Sequence, residues 1–179
     1  MAVTCSVDGD ILHLQHPDRP DISIVPGRND AALFDWLAPI YPSERPSATA
    51  LVKSPVEGMS DAPFASVSIL NCSSLEALNS RLGQDLDPRR FRGNLWLEGL
   101  APWEEFDLVG KTLCIGDARL DVVEIITRCR ATEANPETGR RDANTLNALQ
   151  DGWGHQDFGV YATVRIGGKV KAGDKVKLL

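Results

Sequence analysis

One cysteine stands among arginines. The stretch Arg128-Cys129-Arg130, with Arg140 and Arg141 returning on the far side of a polar loop, sets a thiol in a field of cations. Nearby positive charge lowers the pKa of a thiol, and the thiolate is the form that ligates metals or attacks electrophiles. The plain alternative is a core cysteine, because free cysteine is among the most buried residue types. A second stretch, Phe91-Arg92-Gly93-Asn94, places a guanidinium and a carboxamide two residues apart at the start of a strand. That pairing can hold an anionic or purine-like ligand; otherwise Arg92 is a surface ion pair and Asn94 a turn cap. Ser60-Asp61-Ala62-Pro63 is a polar turn before a strand and, taken alone, no more than a turn. His13 and His16, three residues apart on a strand, point to opposite faces with no third ligand nearby, so they make no metal site.

The elements that must position these groups are short. Asp121 to Thr127 is rich in Val, Ile and Thr and predicts a strand, followed by the turn signals Asn135-Pro136 and Thr138-Gly139. Strand alternation assigns Val123, Ile125, Thr127 and Cys129 to one face, with the thiol at the mouth of an apolar interior. Ser66 to Asn71 predicts another strand, and Ser73-x-x-Glu76 a capping box opening a helix that stops at Gly83. Asp87-Pro88 starts a helical turn, out of which come Arg89 to Arg92 and a strand from Asn94 to Leu97. A hairpin about Gly116-Asp117, a helix bearing Leu146 and Leu149 that ends at Gly152, and strands over 158–166 and 175–179 complete this part. Earlier in the chain, residues 2–7 and 10–16 form a hairpin, a third strand covers Ile22 to Val25, and a helix carries Leu33, Phe34, Trp36 and Leu37. A proline-rich connector, Pro39 to Pro46, follows. Many short strands with a few short helices predict a mixed, mainly β fold built on a barrel rather than a doubly wound sheet.

Composition narrows the function classes. A chain of 179 residues, 42% hydrophobic and 25% charged, has the size for one sizeable core with a small appendage. The formal net charge of −6 speaks against a dedicated nucleic-acid surface, which rests on clustered Lys and Arg. No apolar run approaches the roughly 18 residues needed to span a bilayer, and the N-terminus has no signal-peptide pattern, so the expected compartment is the cytoplasm, with no membrane partner. The four cysteines, Cys5, Cys72, Cys114 and Cys129, contain no Cys-x-x-Cys pair, and in a reducing compartment they are free thiols. Gly152-Trp153-Gly154 has no third glycine to make a dinucleotide loop.

The order of the stretches says more than any one of them. Ser60-Asp61-Ala62, Ser74-Leu75-x-x-Leu78-Asn79, Phe91-Arg92-x-Asn94, Arg128-Cys129-x-x-Thr132-x-x-x-Pro136-x-Thr138-Gly139, Phe158-Gly159-x-Tyr161 and Gly173-Asp174 follow one another along the chain. In this order they resemble the MOSC domain family, named for the C-terminal domain of molybdenum cofactor sulfurases, and most closely its amidoxime-reducing branch. The likeness runs from about residue 59 to 179. It implies a MOSC-type β-barrel over 47–179, preceded over 1–46 by part of the family's N-terminal β region, shortened at its start.

The resemblance also implies a molybdenum cofactor (molybdopterin) held in a groove. Cys129 falls on the family's molybdenum ligand, while Ser60, Asp61, Arg92 and Asn94 fall on positions that hold the pterin and its phosphate, with Arg128 beside them. A soft thiolate suits such a metal, and arginine suits a phosphate. Val52-Lys53-Ser54-Pro55 looks like a family segment in letters but stands at a different place in the order, so Lys53 receives no role. Pyridoxal phosphate is attached to the family through its sulfurases; no lysine here has a Schiff-base setting. The implied function is an oxidoreductase acting on N-oxygenated small molecules, with an electron-donor protein as partner. The alternatives are a carrier of sulfur or cofactor served by a sulfur-donor protein, and a scaffold that has lost the chemistry. A homodimer is one way to complete a groove left open by a short N-terminus.

Overall fold

A computed structural model describes residues 2–42, 45–54, 59–60 and 62–179. Asp61 lies outside the described residues, as do parts of the connector over 39–46 and of the 52–55 stretch. The first three strands, β1 (Thr4–Asp8), β2 (Ile11–His16) and β3 (Arg19–Ile24), make an antiparallel sheet in the order β1-β2-β3. Asp8 pairs with Ile11, so the hairpin loop is Gly9-Asp10, and Gly9 supplies the positive φ of 57° that the tight turn requires. Helix α1 (Asp30–Leu37) covers this sheet, and Leu33 and Trp36 join Ile24 in a small core. The Trp36 indole N–H donates to the Pro20 carbonyl at 2.6 Å, so its polar edge is satisfied where its ring is buried.

The remaining strands are β4 (Val67–Asn71), β5 (Leu95–Leu97), β6 (Thr112–Ile115), β7 (Ala118–Thr127), β8 (Asp157–Ile166) and β9 (Val176–Leu178). They form one curled six-stranded sheet in the order β5-β4-β8-β7-β6-β9, a half-barrel whose edge strands are β5 and β9. Among the described residues only the β4–β5 pair is parallel, joined through helix α2 (Cys72–Leu82) and a 3-10 turn, Pro88–Phe91. The capping differs from the expected box. The cap is Asn71 rather than Ser73: the Asn71 side-chain oxygen accepts the Ser73 N–H at 3.0 Å, so the last residue of β4 is itself the cap of α2. Helix α3 (Thr145–Trp153) runs through Gly152 and ends on left-handed Gly154, while Gly152 gives room to the Arg81 side chain.

Two cores flank the sheet. One joins Ile69, Leu113, Leu120, Val122 and Val160 on its inner face; the other joins Leu70, Leu78, Phe91, Leu149 and Phe158 beneath α2 and α3. Among the described residues, no helix is long and apolar enough to cross a membrane.

Candidate functional site

Strand β7 delivers the cysteine. The Arg128 N–H donates to the Gln156 carbonyl at 2.9 Å, and Cys129 then opens a 3-10 turn, Arg130–Glu133. The Cys129 carbonyl accepts both the Thr132 N–H and the Thr132 hydroxyl at 3.2 Å. The Thr132 hydroxyl lies 2.7 Å from that of buried Thr145, the first residue of α3. The backbone around Cys129 is thus fastened on both sides while its thiol is exposed. This corrects the expected orientation. The core face of β7 is Leu120, Val122 and Ile126, and Val123 and Ile125 are exposed. Register shifts between Val122 and Glu124 and between Ile125 and Thr127 interrupt the simple alternation.

Arg128 points inward. Its Nε donates to the Phe158 carbonyl at 2.7 Å and its Nη1 to the Phe91 carbonyl at 2.9 Å, and its guanidinium lies 5.8 and 5.9 Å from the two ring centroids. Those rings stack at 4.3 Å. One side chain therefore ties the Arg-Cys stretch to the Phe-Arg-x-Asn stretch. Arg92 directly follows Phe91 and is exposed, with a left-handed φ of 50°. A non-glycine residue in that region is uncommon and marks a backbone fixed by its surroundings. Asn94 uses its carboxamide oxygen to accept the Ser68 N–H at 2.9 Å and the Ser68 hydroxyl at 2.8 Å, fastening β5 to β4 and leaving its amide nitrogen as the group able to reach a ligand.

Arg90 is the residue that reading by letters passed over. It is 6% exposed; Nη1 donates to the Glu133 carbonyl at 3.0 Å and Nη2 to Asp142 Oδ1 at 2.5 Å. Asp142 Oδ2 in turn accepts from Asn135 Nδ2 at 2.7 Å, and Asn135 Oδ1 accepts the N–H groups of Glu137 and Thr138. A continuous chain of bonds therefore runs from buried Arg90 to the tip of the loop that begins at Cys129. The only signal in the sequence was the clustering of Arg89, Arg90 and Arg92 on one short turn.

The arginines of the loop that follows Cys129 are partly compensated. Glu133 Oε2 lies 2.9 Å from Arg130 Nε and 3.9 Å from Arg141 Nε, and Arg140 reaches Asp18 of the first sheet at 3.3 Å. Arg130, Glu133, Arg141, Asp142, Ala143 and Asn144 line a shallow concavity of about 390 Å³. A second concavity of about 380 Å³, lined by Glu76, Asn79, Ser80, Gly83, Gln84 and Asp85, contains none of the expected site residues. Ser60 makes its contacts within its own turn, accepting the Ala62 N–H at 3.2 Å with the Ser66 hydroxyl 2.5 Å away. His13 faces Ser23 at 2.7 Å, and His16 is buried, its Nδ1 accepting the Asp18 N–H at 3.1 Å.

The donor set tests what could bind. Among the described residues, no three His, Cys, Asp or Glu side chains are grouped to hold a metal ion. A bare ion would therefore find no such cluster of side chains among the described residues. A cofactor that brings its own ligands to its metal needs an exposed cysteine plus cationic and amide donors for an anionic group, and Cys129, Arg92 and Asn94 are residues of those kinds.

The family model of the MOSC domain matches residues 57–177. The chain belongs to the MOSC domain family. A molybdenum cofactor sulfurase of Caenorhabditis briggsae is 32% identical over 126 residues, covering 66% of this chain and 17% of that protein. Mitochondrial amidoxime-reducing component 1 of Mus musculus is 31% identical over 153 residues, covering 77% of this chain and 44% of that protein. This MOSC chain thus spans less than half the length of these relatives. The solved structure of YiiM from Geobacillus stearothermophilus aligns over 63% of this chain and 53% of that one, with a TM-score of 0.47 and 19% identity, a likeness too loose to carry weight. None of these names mentions pyridoxal phosphate.

Proposed function

We propose that this MOSC protein binds a molybdenum cofactor through Cys129 and acts as an oxidoreductase on N-oxygenated small molecules. The observation that carries the reading is the exposed Cys129 on a doubly fastened backbone, with no cluster of three or more metal-binding side chains among the described residues. The name of the sulfurase relative supports the choice of cofactor, and that of the amidoxime-reducing component the choice of reaction. Cys129 would hold the metal. Arg92, the amide nitrogen of Asn94, Ser60 and Asp61 would hold the pterin and its phosphate. Arg128 would serve this binding from behind, by fixing Cys129 and Arg92 relative to each other. The chemistry supplied by the group when bound is two-electron reduction of an oxygenated substrate, with electrons from a donor protein. Residues 1–46 belong, in this reading, to the family's N-terminal β region, and 47–179 to its barrel.

A second reading rests on the same exposed thiol and on the sulfurase relative. Here Cys129 carries sulfur as a persulfide, or the cofactor is held and handed on, without turnover by this chain. Metal analysis separates the two. Purified from a host that makes the cofactor, the protein should carry near-stoichiometric molybdenum that is lost in Cys129→Ser and kept in Cys72→Ser. Cyanide-releasable sulfur with little metal would instead support the carrier, and neither would leave the fold as a scaffold.

A further inference from the structure

The half-barrel leaves part of its apolar inner face uncovered beside the β9 edge. Leu113 pairs with Leu120 on one side and with Leu178 on the other, and Leu120 pairs with Val164. Directly paired residues share a face, so Val164, Leu120, Leu113 and Leu178 form one row across four strands. The inner two are buried, whereas Val164 is 52% and Leu178 53% exposed. In the next row Ala118 and Ile115 are buried and Val176, opposite Ile115, is 38% exposed. The backbone at this edge is also open. The Leu179 N–H donates to the Thr112 carbonyl at 3.0 Å. Alternate residues direct their N–H and C=O groups to opposite sides, so those of Val176 and Leu178 point away from β6.

Charge selects what fits there. Residues 164–179 carry five cations, Arg165, Lys169, Lys171, Lys175 and Lys177, all exposed, against one acid, Asp174, with Arg165 also paired to Asp121 of β7 at 2.7 Å; the rest of the chain has 14 basic and 24 acidic residues. Two β9 edges meeting from two copies would bring Lys175 and Lys177 face to face with their equivalents, which is how edge lysines oppose self-pairing. An incoming strand with acidic residues on the outer face and apolar residues on the inner one meets no such repulsion. We propose that β9 is a docking edge for an extended segment of a partner protein in which acidic and apolar residues alternate. The segment adds as a further strand, its backbone pairing with Val176 and Leu178, its apolar side chains extending the exposed ends of the rows, and its carboxylates facing Lys175 and Lys177.

The test uses isotope-labelled full chain and a capped peptide of alternating valine and glutamate, with the valine–lysine peptide as counterpart. Saturable amide shifts centred on Val176 and Leu178 with the acidic peptide alone are expected, weakening as salt rises. Lys175→Glu with Lys177→Glu should weaken binding by about tenfold. Val176→Pro removes an N–H that β6 does not use, so it should keep the fold's amide spectrum and lose the peptide. No saturable shift at millimolar peptide, equal response to the lysine peptide, unaltered binding by Val176→Pro, or shifts at β5 instead would overturn the proposal. Concentration-dependent dimerisation through the same amides would also overturn it, in favour of a second copy.

Discussion

Arg128 Nη1 donates to the Phe91 carbonyl at 2.9 Å while Nε of the same guanidinium holds the Phe158 carbonyl at 2.7 Å. The residue before the candidate ligand is thus bonded to the residue before the candidate phosphate-binding arginine. Replacing it with methionine strands two acceptors at a partly buried site, each bond to a charged donor being worth about 1.5–3 kcal/mol. Arg128→Met is expected to lower unfolding free energy by roughly 2–4 kcal/mol in urea. It should also lower molybdenum content more than Arg130→Met does.

The Arg90–Asp142–Asn135 chain should govern the loop and its response to acid. The hydrogen bond from Asn135, and after it Arg90, holds the Asp142 carboxyl below the ordinary carboxylate range despite partial burial. A depressed pKa contributes stability above the unfolded-state value of about 3.9 and loses it as pH falls through the folded value. Between about pH 5 and 2 the wild-type protein should therefore lose stability more steeply than Asp142→Asn. Thermal melts across that range measure it, and parallel slopes would contradict it. Arg90→Met, which removes a buried cation from its bonds, should cost roughly 2 kcal/mol at neutral pH.

Gly93 and Gly159 press on one leucine from two sides. A Cβ at either would overlap the Leu70 side chain, and one at Gly159 would also stand 2.8 Å from the Ile69 carbonyl oxygen, at a φ of 82°. Each change to alanine is expected to cost roughly 2–4 kcal/mol through overpacking and strain. Gly83→Ala is the control: its φ of 63° is left-handed, but nothing lies within 4 Å of the added carbon. It should cost only about 1 kcal/mol.

Cys72 should react more slowly than the two exposed thiols. Burial, then the carboxylates of Glu98 and Glu76, push the Cys72 thiol up, whereas Cys129 and Cys5 are exposed. Alkylation followed by peptide mapping near neutral pH should find Cys72 slower than both, because the thiolate is the reacting form. A Cys72 that is modified as fast as Cys129 would contradict this.

Much of the scaffold was legible because local signals are chemical. Gly83 ends α2 in the left-handed conformation, Asp87 accepts the Arg89 N–H at 2.8 Å to cap a turn begun by Pro88, and Ile115 pairs with Ala118 around Gly116-Asp117 as a two-residue hairpin demands. Where the reading slipped, a competing local donor or a bulge had won: Asn71 instead of Ser73 at the cap, and Val122 with Ile126 instead of Val123 with Ile125 on the core face. Valine and isoleucine occupy both faces of β7, so only pairing with β8 could choose between them.

Residue order alone determined the family, the cysteine to watch and the mainly β architecture, because motif spacing, turn chemistry and β-branched runs are properties of the chain. Tertiary structure decided the rest. It turned Arg128 into a staple between Phe91 and Phe158, made buried Arg90 the support of the loop, and set the Cys129 thiol outward. Those outcomes depend on which carbonyls are left without partners when distant strands meet, and such partners exist only after the sheet has closed around them.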